Sequence, residues 1–102
     1  MSRKIKLSRR SLHKLEKLLD YLEKEWSVKV KEDFIEKFDN AVKIIQNNPL
    51  TFQKSKIVKG LHMCIISKQT TVYYRFDNKF VYIVTLFDNR QNPERIKEET
   101  KE

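Results

Sequence analysis

Three kinds of side chain in this 102-residue sequence can do chemistry on a charged ligand. Arg90 sits in the polar run Asp88-Asn89-Arg90-Gln91-Asn92-Pro93, directly after the apolar stretch Phe80–Phe87. Side chains at the mouth of a buried strand are held by a rigid element, which suits a site. His62 carries an imidazole with an ordinary pKa of about 6.5, so it is a candidate general base. Arg75 lies in the preceding apolar run, and Lys54, Lys56 and Lys59 cluster shortly before His62. Cationic groups at this density stabilise phosphate charge. The plainer reading is a strand arginine paired with a carboxylate, lysines in solvent and a half-buried histidine.

Tyr73, Tyr74 and Tyr82 can stack on bases. Neighbours in a strand point to opposite faces, so Tyr73 and Tyr74 cannot line one surface. Core packing is expected for at least two of the three. Cys64 lacks a companion Cys or His at ligand spacing and reads as a small core residue. His13 and His62 with scattered carboxylates form no metal pattern, and no glycine-rich phosphate loop is present. No cofactor is implied.

The elements that must position these residues follow from periodicity. Lys4–Leu7 alternates and reads as an edge strand. Ser8 or Ser11 can cap a helix whose apolar face is Leu12, Leu15, Leu19, Leu22 and Trp26. Ser27 caps a second helix over Val28–Asn47, with the stripe Val30, Phe34, Phe38, Ala41 and Ile45, widened by Ile35 and Val42. Asn48-Pro49 ends it. Leu50–Lys59 is a loop anchored by Phe52 and Ile57. Gly60 opens the strand Leu61–Ser67, followed by Thr70–Phe76 and Phe80–Phe87, with tight turns at Lys68-Gln69 and Asp77-Asn78-Lys79. On the last strand Val81, Ile83 and Thr85 should oppose Tyr82, Val84 and Leu86. With both faces apolar, it should be central. The fold class is therefore α+β, in the order β-α-α-β-β-β, with a helical hairpin packed on an antiparallel sheet. Residues 1–102 make a single domain, and 95–102 are expected to fray.

The net charge of +8 is uneven: residues 1–31 carry +6, 32–53 carry −2, 54–79 carry +5 and 80–102 carry −1. Two basic regions flanking an acidic one suit a polyanionic partner, nucleic acid or acidic protein. A lysine-rich soluble surface gives the same pattern. No apolar run reaches the ~18 residues of a membrane span, and the N-terminus lacks a signal-peptide core. With one cysteine, the expected location is a reducing cytoplasm, away from membranes.

Several of these segments, in this order, resemble the RelE/ParE toxins of bacterial type II toxin–antitoxin systems. They are Tyr21–Ser27, Phe34 with Ile44-Ile45 and Asn48-Pro49, Gly60-Leu61-His62-Met63-Cys64, Val72-Tyr73-Tyr74-Arg75, and Leu86-Phe87-Asp88-Asn89-Arg90-Gln91-Asn92-Pro93. The resemblance implies a toxin neutralised by a small acidic antitoxin that folds on binding. RelE-like members cut messenger RNA at the ribosome; ParE-like members are associated with inhibition of DNA gyrase. Metal-free RNA cleavage needs a ribose 2′-OH deprotonated, the phosphorane charge neutralised and the leaving oxygen protonated. On the nuclease reading, Arg90, Arg75 and His62 are the catalytic candidates, and Lys54, Lys56 and Lys59 the nucleic-acid-binding ones. Two departures from the RelE pattern stand out. His62 occupies a strand position that is often Arg, and no aromatic follows Phe87, where an acid/base aromatic is expected. Messenger cleavage, gyrase inhibition and a catalytically inactive basic binding module all remain open.

Overall fold

In a computed structural model, which describes residues 2–100, the chain forms three helices on a four-stranded mixed sheet. The elements are β1 (Lys4–Leu7), α1 (Arg9–Glu25), α2 (Val28–Asn47), β2 (His62–Ser67), β3 (Thr70–Phe76), β4 (Phe80–Asp88), a 3₁₀ turn (Pro93–Arg95) and α3 (Ile96–Glu99). The sheet order is β1-β4-β3-β2, so β4 is interior as its two apolar faces required. β2, β3 and β4 form the antiparallel meander, while β1 joins β4 in parallel and makes the sheet mixed. The reason is the helical hairpin. β1 and α1 run one way and α2 returns, bringing Gln46 back to Arg3, where the Gln46 side-chain amide donates to the Arg3 carbonyl at 2.9 Å. β2 therefore starts at the same end as β1, and two reversals later β4 does too.

Ser8 is the cap of α1: its hydroxyl accepts from the Ser11 backbone N–H at 3.0 Å. Ser27 caps α2 by accepting from Val30 N–H at 3.1 Å. The main core lies between the hairpin and the sheet and is built on Phe34, Phe38, Ala41, Ile45, Cys64, Val72, Tyr74, Val81, Ile83 and Leu86. α1 presents Leu15, Leu18, Leu19 and Leu22 to it. Leu12 and Trp26, expected on that face, are instead exposed, Trp26 by 67%. Trp26 has already left helical geometry as the C-cap of α1, so its side chain no longer follows the stripe.

A bulge sets the second departure. Tyr73 pairs with Thr85 but Tyr74 pairs with Ile83, so β4 carries an extra residue, Val84. The insertion rotates the upper half of β4. Leu86 thereby joins Val81 and Ile83 in the main core, while Val84 and Phe87 face away from the hairpin. The expected alternation of Val81, Ile83 and Thr85 against Tyr82, Val84 and Leu86 therefore holds only before the bulge.

The far face of the sheet carries a smaller core of Leu61, Tyr73, Val84, Phe87 and Ile96, with Val58 and Met63 packed on it. Phe52 reaches the main core as expected, whereas the loop's anchor on this second core is Val58 rather than Ile57. Residues 95–100 do not fray: Pro93 starts the 3₁₀ turn, α3 follows and Ile96 is fully buried. The Thr100 hydroxyl bonds back to the Ile96 carbonyl at 2.8 Å, and Lys14 of α1 pairs with Glu99 of α3. The single apolar Ile96 suffices because the bulge turns Val84 and Phe87 toward it. Residues 101–102 lie outside the described part. Ile96→Ala should lower unfolding free energy by about 2–5 kcal/mol in urea denaturation, the range for truncating a buried isoleucine to alanine.

Candidate functional site

The polar exit from β4 is rigid. Asp88 Oδ1 accepts from the Arg90 backbone N–H at 2.9 Å, and the Asp88 carbonyl accepts from Gln91 N–H at 3.0 Å. Asn89 is pinned to the β2–β3 turn: its N–H donates to the Gln69 carbonyl at 2.8 Å and its side-chain oxygen accepts from the Thr71 hydroxyl at 2.7 Å. Asn92 caps the next turn by accepting from Glu94 N–H at 3.0 Å. The Arg90 guanidinium lies over Asp88, Nε donating to Oδ1 at 3.0 Å and a terminal nitrogen to Oδ2 at 2.7 Å. The pair holds the Asp88 carboxyl below its ordinary range and raises the guanidinium. Arg90 remains largely exposed.

Beside it opens a groove of about 300 Å³, lined by Lys14, Lys17 and Tyr21 of α1 together with Gln69, Arg90 and Gln91. The three α1 residues were not among the sequence candidates for the site. Their signal was present as helical spacing: Lys14, Lys17 and Tyr21 recur on one side of α1, off its apolar stripe. Around the groove three cations, Lys14, Lys17 and Arg90, face two carboxylates, Asp88 and Glu99, which pair with Arg90 and Lys14. In this arrangement Lys17 and the outer edge of the Arg90 guanidinium are the exposed positive groups of the rim. The residues lining it include no His or Cys.

The other candidates are elsewhere. His62 begins β2 at the opposite end of the sheet. It pairs with Tyr74, whereas Asp88 pairs with Thr70. Four residues of β3 separate those levels, about 13 Å at ~3.3 Å per residue. The His62 ring is buried, stacked on Tyr74 at 5.5 Å and tilted against Phe76 at 5.3 Å, on the hairpin side. Its Nδ1 is sealed from solvent with no hydrogen-bond partner among the described residues. Burial and then the Lys54 ammonium hold its pKa below the ordinary value, so the ring is neutral at pH 7. Arg75 lies between Tyr74 and Phe76 and therefore points to the far face, beside Tyr82. Lys54, Lys56 and Lys59 are exposed, Lys54 as the bridge partner of His62. Thus Arg90, His62 and Arg75 occupy three separate surfaces. Tyr73 and Tyr74 are core residues, and Tyr74 donates to the Pro49 carbonyl at 2.7 Å. Cys64 is buried, its thiol pushed up to about 11, and is unreactive. No cluster of His, Cys, Asp and Glu able to hold a metal occurs among the described residues. Nor is any helix among them long and apolar enough to cross a membrane.

A pH signature follows from His62. Unfolded, it titrates near pH 6.5; folded, it titrates lower, so the unfolded chain takes up the extra proton first as pH falls. Stability from the neutral ring is complete above about pH 6.5 and is lost as pH drops through the folded value. Calorimetry between pH 7.5 and 5 should show a larger fall in Tm for the native protein than for His62→Phe. Carboxylates contribute equally to both, so equal slopes would show that His62 titrates normally.

Comparison with known proteins agrees with this fold. The family model of the ParE toxin of the type II toxin–antitoxin system, parDE, matches residues 5–93. The chain is similar in structure to the chromosomal ParDE system from P. aeruginosa, with TM-score 0.71 at 13% identity over 85% of this chain and 96% of that one. It is also similar to the YoeB dimer from Staphylococcus aureus, with TM-score 0.61, 15% identity, and 85% and 97% covered. For the E. coli DinJ–YafQ toxin–antitoxin complex the TM-score is 0.59, with 15% identity and 88% and 96% covered. No curated protein matches at a significant level. At these identities the structural likeness speaks for the fold, and the match over residues 5–93 places the chain in the ParE toxin family of type II toxin–antitoxin systems.

Proposed function

We propose that this protein is the toxin of a ParDE-type pair and that it arrests growth by binding DNA gyrase, without cutting RNA. The observation that carries this reading is the dispersal of the groups a nuclease would need. His62, the candidate base, is buried and stacked on the hairpin side, Arg90 stands at the other end of the sheet, and Arg75 faces away. Arg90, held rigidly by Asp88 at the rim of the α1 groove, is then a target-contacting residue. The cytoplasm, where gyrase works, is the place of action. One observation favours messenger cleavage instead: Lys54, Lys56 and Lys59 are all exposed on one loop, as a nucleic-acid-binding surface requires.

An antitoxin would neutralise the protein by covering a second surface. Leu22, Trp26, Val30 and Phe34 line a shallow groove between the ends of the hairpin, flanked by Asp33 and Lys37. An exposed Trp beside half-exposed aliphatics marks an interface, because such a ring contributes most to binding when fully desolvated. A short partner helix with an apolar stripe fits there.

Induction of the protein without antitoxin separates the targets. The gyrase reading expects a DNA-damage response, intact messengers by primer extension, and loss of supercoiling activity when purified protein is added to gyrase. Cleaved messengers with unaffected gyrase would transfer the assignment to RNA. Arg90→Ala should relieve toxicity while changing stability by less than about 1 kcal/mol, since an exposed ion pair contributes little. Trp26→Ala should weaken antitoxin binding at least about tenfold by calorimetric titration and leave toxicity in place.

A further inference from the structure

Thr71 carries a hydroxyl into an apolar region. The residue is 1% exposed, and Val72 packs in the main core while Tyr73 packs in the second, so Thr71 shares the far face with Tyr73. Its cross-strand partners are Ile65 of β2 and Phe87 of β4. A valine has the same branched shape, suits a strand equally well and leaves no buried hydroxyl to satisfy. The hydroxyl donates to Asn89 Oδ1 at 2.7 Å. Asn89 makes two further bonds to the β2–β3 turn: its N–H donates to the Gln69 carbonyl at 2.8 Å and its side-chain amide to the Lys68 carbonyl at 3.4 Å. Three bonds thus tie the residue next to Arg90 to the neighbouring hairpin. They act where the ladder stops, since the pairing of β3 with β4 ends at Thr70 and Asp88. The Asp88–Arg90 pair spans only two residues, so it shapes the exit locally. The bonds of Asn89 cross to another hairpin and set where that exit lies. Gln69, one acceptor of these bonds, also lines the Arg90 groove with Lys17 and Tyr21 of α1. The clamp therefore joins the turn to the exit, two parts of the lining of one groove.

We propose that Thr71 and Asn89 are positioning residues for Arg90: the buried hydroxyl locks the Asn89 amide, and Asn89 holds the exit so that the Arg90 guanidinium meets the toxin's target already in place. This role rests on Arg90 being a target-contacting residue. An exit ordered only on contact would lose binding free energy to that ordering. Contact side chains work best when locked neighbours hold them within about 0.5 Å. Stability gives no comparable reason for the hydroxyl. Replacing it with a methyl group leaves no buried group unpaired, because Asn89 is exposed and its oxygen then meets water. The loss falls on the placing of Arg90 rather than on folding.

The test compares variants of the full chain with the native protein and with Arg90→Ala. Growth arrest on induction reads the effect without presupposing the target, and inhibition of gyrase supercoiling by purified protein reads it on the proposed one. Backbone nitrogen-15 relaxation reads the order of the exit directly. Thr71→Val and Asn89→Ala should each need at least about fivefold more protein for half-maximal arrest. In both, the order parameter at Arg90 should fall from the rigid range near about 0.85 to below about 0.6. Thr71→Ser keeps the hydroxyl and should restore both arrest and order. The double variant Thr71→Val, Asn89→Ala should be no weaker than Asn89→Ala alone, because both changes remove one clamp. Urea midpoints of both single variants should stay at the native value. Clamp variants that lose arrest while the native protein leaves gyrase unaffected move the target elsewhere and still support the clamp. A toxic Arg90→Ala overturns the target-contact reading and the role of the clamp with it. A harmless Arg90→Ala beside a fully toxic Asn89→Ala overturns the clamp alone. An unchanged order parameter at Arg90, a Thr71→Ser as weak as Thr71→Val, or a lowered urea midpoint that accounts for the lost arrest would each overturn it as well.

Discussion

The structure turns on the junction of Ser8 and Ser11 with the bulge of β4. Ser8 ends the parallel strand by donating its backbone N–H to the Ile83 carbonyl at 3.0 Å. Its hydroxyl donates to the Val84 carbonyl at 2.7 Å while accepting from the first turn of α1. The fully buried Ser11 adds a second bond to the Ile83 carbonyl at 3.0 Å. β1 stops at Ile83, so these carbonyls belong to an edge left open midway along an interior strand. Unpaired and buried, each would cost about 1–3 kcal/mol. Two small hydroxyl side chains at one helix start satisfy both carbonyls and cover the edge with α1. The same bonds fix where α1 crosses β4, and so which of its faces meets the core.

From that junction the two cores follow. Below the bulge, β4 alternates between the hairpin and the far face. Above it the pattern is shifted by Val84, so that Leu86 feeds the hairpin core and Val84 and Phe87 found a second one. That second core gives the last few residues somewhere to dock. Thr85, turned the same way, donates to the Glu99 carboxylate at 2.9 Å, and Glu99 also pairs with Lys14. One carboxylate thus joins α3, β4 and α1.

The surface chemistry is divided by this architecture into regions of different character, of which the Arg90 groove and the Trp26 groove share Gln69. The Arg90 exit and the α1 lysines form a cationic rim whose lining includes no His or Cys. The hairpin ends present an apolar groove with Trp26. The lower far face offers cations and rings. His62 belongs to none of them, because its imidazole fills space between Tyr74 and Phe76.

The sequence by itself determined the elements and their order, since helix stripes, serine caps, tight turns and the doubly apolar last strand are local patterns. The interior place of β4, the core burial of two of the three strand tyrosines, though not which two, and the family signature across Tyr21–Pro93 were legible for the same reason. Only the tertiary structure decided which residues share a surface. A bulge inverts strand parity without any Gly or Pro to announce it, so the facing of Leu86 could not be read from alternation. The docking of Ile96 depended on that inversion and was hidden with it. Lys14, Lys17 and Tyr21 meet Arg90 through a helix crossing that no pattern within α1 encodes. Nothing in the linear sequence keeps His62 apart from Arg90. Pairing register separates them by the length of a strand, and register is a property of two strands that neither one carries alone.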